Sequence, residues 1–144
     1  MGLIFLDSLH YLLMKAHTLL SKRVMYGASE IGLTSGQPKV LEFLSEHGES
    51  DQKTIASHCL IEPATVGSIL LRMEESGLVS RSQRAGNRRS LYVSLTGEGR
   101  EAAERMRHIF IKSEEAVSRN LSDEEISTLK ALLSKIAPTG ESDA

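Results

Sequence analysis

Leu3, Ile4, Phe5, Leu6, Leu9, Leu12, Leu13, Met14, Leu19 and Leu20 crowd the start of the chain and predict a helix over residues 3–24. They cover more than one face of it. A surface helix buries a stripe about 100° wide, so a helix apolar nearly all round needs a second partner. In a chain of 144 residues that partner is expected to be another subunit.

Behind this segment the apolar positions form short helical runs. Thr34 and Gln37 have the spacing of a capping box, followed by Val40, Leu41 and Leu44, with His47-Gly48 closing the run. Asp51 is a good N-cap for a short helix burying Ile55, Ala56 and Cys59. Glu62-Pro63 opens the next, since proline at the first helical position gives up an N–H that has no partner there. Val66, Ile69, Leu70 and Met73 form its inner stripe; Ala64, Thr65, Gly67, Ser68, Leu71 and Arg72 face outward, and Gly77 ends it. The period then changes to two. Leu78-Val79 and Leu91, Val93, Leu95 read as strands joined through Ala85-Gly86-Asn87, a β-hairpin. From Thr96 a long helix carries Ala103, Met106, Phe110 and Val117 inward and breaks near Asn120. Ser122 to Glu125 is a second capping box, opening a last helix with Ile126, Leu129, Leu133 and Ile136 expected inward, before Pro138. The fold class is therefore mainly α with a small β-hairpin: one chain over 1–144, with a winged helix-turn-helix over 30–97 and helical segments 1–29 and 98–138 that dimerise.

Charge sharpens this picture. The net formal charge is −2, yet residues 78–95 hold Arg81, Arg84, Arg88 and Arg89 and no acid. A concentrated cationic hairpin is suited to phosphate, although a merely solvated arginine turn has the same composition. Three short helices followed by a hairpin form a winged helix-turn-helix, whose recognition helix here opens at Pro63. Its small outward residues suit a major groove about 12 Å wide. Gly67 costs about 1 kcal/mol of helix propensity against alanine; either it brings the helix closer to DNA or it is an indifferent surface position. Arg88 and Arg89 at the hairpin tip are placed for an adjacent minor groove or its phosphates.

In order along the chain stand Leu33-Thr34-Ser-Gly-Gln37-Pro-Lys-Val40-Leu41, Ile55-Ala56, Thr65-Val66, Gly77-Leu78-Val79-Ser-Arg81, Asn87-Arg88-Arg89 and Leu95-Thr96. In that order and spacing the sequence resembles the MarR (multiple antibiotic resistance regulator) family of bacterial transcription factors over about residues 30–100. The resemblance implies a homodimer on a pseudo-palindromic double-stranded DNA operator, usually acting as a repressor and released by a small-molecule, often aromatic, effector. It places DNA contacts on Thr65, Ser68 and Arg72, with Asn87, Arg88 and Arg89 in the wing, and makes Lys53 a phosphate contact. It also places His10, Tyr11 and His17 on a first helix that lines the effector cleft. Two positions depart from the family. Asn87 stands where an aspartate usually aims the wing by pairing with an arginine, and Leu60 replaces a common turn glycine, so that turn is expected to differ in shape.

Other chemistries find less support. One cysteine excludes an internal disulfide and fits a reducing cytoplasm. Cys59 lies beside Ile55 and Ala56, as a small core residue does; the thiol-based redox-sensing alternative would need a reactive thiol, which in such relatives sits near the first helix. Glu104 and His108 share a helical face, but no further metal ligand is placed beside them, so no metal and no cofactor is expected. No phosphate loop or nucleophile elbow is present, so no catalytic residue and no enzyme activity is expected. No apolar run reaches the ~20 residues of a membrane span, and no basic leader precedes the first apolar segment, so no membrane partner is expected. The remaining alternative is a winged-helix module for protein–protein contact that has lost DNA binding. Acids in its wing and bulky residues on its recognition face would mark such a module, and the sequence has neither.

Overall fold

Between residues 33 and 106 the side chains that helical spacing singles out are the ones the protein buries. Val40, Leu41, Leu44, Ile55, Val66, Leu70, Met73 and Met106 are almost wholly removed from solvent. The computed structural model describes residues 5–84 and 87–138, and the side chains of all of these except residues 84 and 87–90. The chain divides into two units, residues 24–110 and the pair of stretches 1–23 and 111–144. Among the described residues no single helix is long and apolar enough to cross a membrane.

Helix α1 (Leu9–Glu30) follows a 3-10 turn at Phe5–Asp7 and ends six residues later than expected. Nothing in Lys22 to Glu30 breaks a helix, and the chain turns only at Gly32, whose φ is +80°. Ser8 caps the start, its Oγ accepting from the Tyr11 N–H at 3.1 Å. Helix α2 (Gln37–His47) starts later than the capping-box spacing implies. Gly36 is left-handed at φ +85° and holds the N-cap position. Gln37 does reach back, accepting from the Thr34 N–H at 3.0 Å, but its own N–H donates to the Thr34 carbonyl rather than to the hydroxyl. Only half of the expected box forms. A side chain at Gly36 would run into Ile69.

Strand β1 (Ser50–Asp51) leads into α3 (Gln52–Cys59), where Asp51 caps as expected, Oδ1 accepting from the Thr54 N–H at 2.7 Å. Hydrogen bonding from the Thr54 side chain, and then from its backbone, holds the Asp51 carboxyl below the usual carboxylate range. Helix α4 (Pro63–Glu75) buries Val66, Ile69, Leu70 and Met73. Gly77 at φ +81° then reverses the chain, with the Leu78 N–H donating to the Met73 carbonyl at 2.8 Å. Strands β2 (Val79–Arg84) and β3 (Asn87–Leu95) pair antiparallel, Val79 opposite Leu95 and Arg81 opposite Val93. The sheet has a third member that the sequence pattern does not reveal: β1 pairs with β3, Ser50 opposite Val93, giving the order β1-β3-β2. Two residues are too few to display alternation.

Helix α5 (Gly97–Val117) is capped by Thr96, whose Oγ1 accepts from the Gly99 N–H at 3.0 Å and donates to the Gly77 carbonyl. Ala103 and Met106 are buried as expected, Phe110 is half-buried, and Val117 is exposed. Helix α6 (Asp123–Ile136) has the full capping box at Ser122 and Glu125. Its apolar face corrects the expectation of burial: Ile126 is only half-buried, and Leu129, Leu133 and Ile136 are exposed. The helical spacing is right, but no side chain of α6 is buried within the chain. The first half of α1 is likewise open, with Leu9, Leu12, Leu13, Met14 and Leu19 exposed, while Val24 and Ala28 further along are buried.

The turn between α3 and α4 also corrects an expectation. Leu60 adopts φ 55° and ψ 45°, the left-handed conformation that glycine takes freely, so the leucine does not impose another shape. Its side chain is 78% exposed, so burial returns little for the strain. A left-handed L-residue costs about 1–2 kcal/mol, of which a glycine's greater freedom in the unfolded chain offsets about 0.4–1. Leu60→Gly is therefore expected to stabilise the fold by about 0.5–1 kcal/mol, read as a higher thermal midpoint. A lower midpoint would show that the leucine side chain holds the turn.

Candidate nucleic-acid interface

The unit formed by residues 24–110 presents α4 with its buried stripe against the core and its opposite face in solvent. Ala64, Thr65, Ser68, Leu71 and Arg72 are exposed on that face, as the spacing predicts. Lys53, in the first turn of α3, is exposed as well. Gly67 is half-buried, and a Cβ there would lie 3.2 Å from Gln52 Nε2, the far end of a flexible side chain at the start of α3.

One of the four hairpin arginines is already engaged. Arg81 Nη2 lies 3.2 Å from Glu74 Oε1, and the arginine side chain is only 17% exposed. The bond ties β2 to the last turn of α4. Because its arginine is sheltered, it is better placed than most surface pairs to contribute, within the order of 1 kcal/mol such pairs reach. The sequence signal was available, an acid at the end of α4 and a base three residues into β2, but charge counting treated Arg81 as free. The backbone pairs Arg84 with Asn87 at the hairpin end, with a register shift between Gln83 and Arg84, and starts β3 at Asn87. Residues 87–89 therefore occupy the tip end of the strand; the side chains of Asn87, Arg88 and Arg89 lie outside the described residues.

The other singled-out residues separate by environment. In the terminal unit, His10 and Tyr11 both meet the ring of Phe5, at centroid distances of 5.4 and 4.9 Å. His17 is bonded separately, its Nε2 lying 3.3 Å from Ser21 Oγ. Glu104 is held by Arg107 at 2.9 Å and lies 3.5 Å from His108 Nε2. Arg107 keeps the Glu104 carboxyl below its usual range, so this is an ion-pair cluster on an exposed helix face. Among the described residues no three His, Cys, Asp or Glu side chains come together as a metal site would require. A feature missed in the sequence is the stacking of His47 and His58 on Phe43, at 4.4 and 5.0 Å, which joins α2 to α3.

Comparison with known proteins places this arrangement. Residues 33–91 match the MarR family. The HTH-type transcriptional regulator FarR of Neisseria gonorrhoeae is 30% identical over 110 residues, covering 76% of this chain and 75% of its own. The chain belongs to the MarR family. The homoprotocatechuate degradative operon repressor of Escherichia coli is 31% identical over 111 residues, spanning 76% of this chain and 74% of that protein. Among solved structures, the Mycobacterium tuberculosis MarR family protein Rv2887 in complex with salicylic acid superposes with a TM-score of 0.73 at 27% identity, covering 91% of this chain and 97% of the other. MarR proteins are transcriptional regulators rather than enzymes, and this one is a DNA-binding regulator with the family's winged-helix fold.

Within this MarR protein Cys59 behaves as a core residue. Its Sγ lies 3.5 Å from the Lys39 carbonyl, and burial pushes the thiol up to about 11. Its thiolate fraction near neutral pH is about a hundredfold below that of an ordinary thiol, because the value rises from 9.0 to about 11. Native protein at pH 8 is accordingly expected to react with a thiol reagent at least about a hundredfold more slowly than the denatured chain. The unfolded thiol also loses its proton first as pH rises. This contribution to stability is thus complete below about pH 9 and is lost between there and about 11. Equal alkylation rates for native and denatured protein would reopen the redox-sensing alternative.

Proposed function

We propose that this chain is a homodimeric repressor that reads a pseudo-palindromic double-stranded DNA operator and is released by a small aromatic effector. The observation that carries the reading is the outward face of α4, exposed and free of bulky charged side chains apart from Arg72 and the glutamates of its last turn. A helix with this face enters a major groove without being held off. Thr65, Ser68 and Arg72 are assigned to base edges and phosphates, Lys53 to a phosphate, and Asn87, Arg88 and Arg89 to the adjacent minor groove. The reading segment is taken as 30–97, with 1–29 and 98–138 as the dimerising segments.

The dimer is supported by the exposed leucines of α1 and α6, whose helical stripes are left largely open among the described residues. Large exposed apolar patches of this kind mark association surfaces. The effector class is supported by the relatives, one named for a homoprotocatechuate operon and one solved with salicylic acid. His10, Tyr11 and His17 on α1 are its candidate contacts. An effector of this kind shifts binding only through differential affinity for DNA-competent and DNA-incompetent dimers. Its work is in the cytoplasm, where operator DNA is found.

Selection of bound duplexes from a random pool, followed by anisotropy against salt, tests the reading. A two-fold symmetric motif is expected, with half-sites about one helical turn apart. Arg88→Ala with Arg89→Ala is expected to weaken binding to all sequences and to lower the salt slope by about 2, one unit for each lost phosphate-type contact. An unchanged slope would remove the wing from the interface. Deleting residues 1–20 is expected to give a monomer in sedimentation; an intact dimer would refute the role given to α1.

A further inference from the structure

We propose that Leu71 is a specificity-determining residue that reads the C5 methyl of thymine in the major groove, so that the half-site carries thymine beneath the middle of α4. The proposal rests on the operator-reading function and names what that reading selects.

Leu71 is 47% exposed although the inner stripe of α4 is complete without it, since Val66, Ile69, Leu70 and Met73 already fill the core side. It stands three residues after Ser68 and seven after Ala64, the spacing of one outward face. Around it α4 offers little hydrogen-bonding chemistry. The helix contains no Asn or Gln, the residues that pair bidentately with adenine, and no Lys. Its one cation is Arg72, and of its two acids Glu74 is bonded to Arg81, while Glu75 lies in the last turn. Bidentate pairing with guanine is therefore open to Arg72 alone on α4, the hydroxyls of Thr65 and Ser68 can bond to a base edge without choosing strongly among bases, and Leu71 adds apolar contact. In the major groove only thymine presents an apolar group, its methyl. A half-exposed leucine aimed at the groove gains by covering that methyl and loses by covering the polar edges of the other bases.

The test starts from the duplex that the wild-type protein selects. Each thymine is replaced singly by uracil, which removes the methyl and keeps the pairing, and affinity is measured at one salt concentration. At one or two positions per half-site uracil is expected to weaken binding about fourfold, the value of one buried methyl. In Leu71→Ala that penalty is expected to vanish at one of these positions, while Leu71→Met retains it; a thermal midpoint close to wild type in Leu71→Met shows that the fold is kept, since about half of the side chain is exposed. A selected duplex indifferent to uracil everywhere would overturn the methyl reading and leave the regulator function standing. Uracil penalties unchanged in Leu71→Ala would overturn the assignment to Leu71. Failure of the wild-type protein to select any duplex would instead remove the operator-reading function, and this inference with it.

Discussion

The orientation of α4 depends on one constraint: four apolar side chains on one side of a thirteen-residue helix must all be buried together. Val66, Leu70 and Met73 are fully enclosed and Ile69 nearly so, which leaves the helix no rotation about its own axis that keeps them covered. Burying such a side chain is worth about 1.5–3 kcal/mol, so a turn exposing even two of them would cost more than any hydrogen bond on the outer face could return. The outward set is thus fixed by what lies inside. Gly36 serves the same end by giving space to Ile69.

The terminal unit obeys the opposite logic. Its helices keep the spacing of buried stripes and leave much of them exposed in a single chain, the surface on which the proposed dimer rests. Ser122 and Glu125 form a full capping box, which stabilises the start of α6 by local bonds. A pre-formed helix with an apolar stripe gives up little further conformational freedom when a second copy covers it.

Much of this was legible in the sequence because it depends on local rules. The cap at Asp51, the proline opening α4, the Gly77 stop and the hairpin strands follow from side-chain bonds and periodicity a few residues long. What was not legible depends on distant partners. Strand β1 exists only because β3 lies beside it. Gly67 faces Gln52, fifteen residues earlier, and Arg81 reaches back to Glu74 across the end of a helix. The start of α2 slipped for a different reason: Gly36 takes a left-handed conformation that the Thr34–Gln37 spacing does not announce. On α6 the period was read correctly and the burial wrongly, since period shows which face is apolar and not which molecule covers it.

The junction of Thr96 and Gly99 with Gly77 and Leu78 couples two helices that are far apart in the chain. The Thr96 hydroxyl donates to the carbonyl at the end of α4 while capping the first turn of α5, and Gly99 is pressed so close to the Leu78 carbonyl that a methyl has no room. The foot of α5 and the tail of α4 therefore cannot slide past one another. The first turn of α5 is thereby anchored to the turn that follows α4.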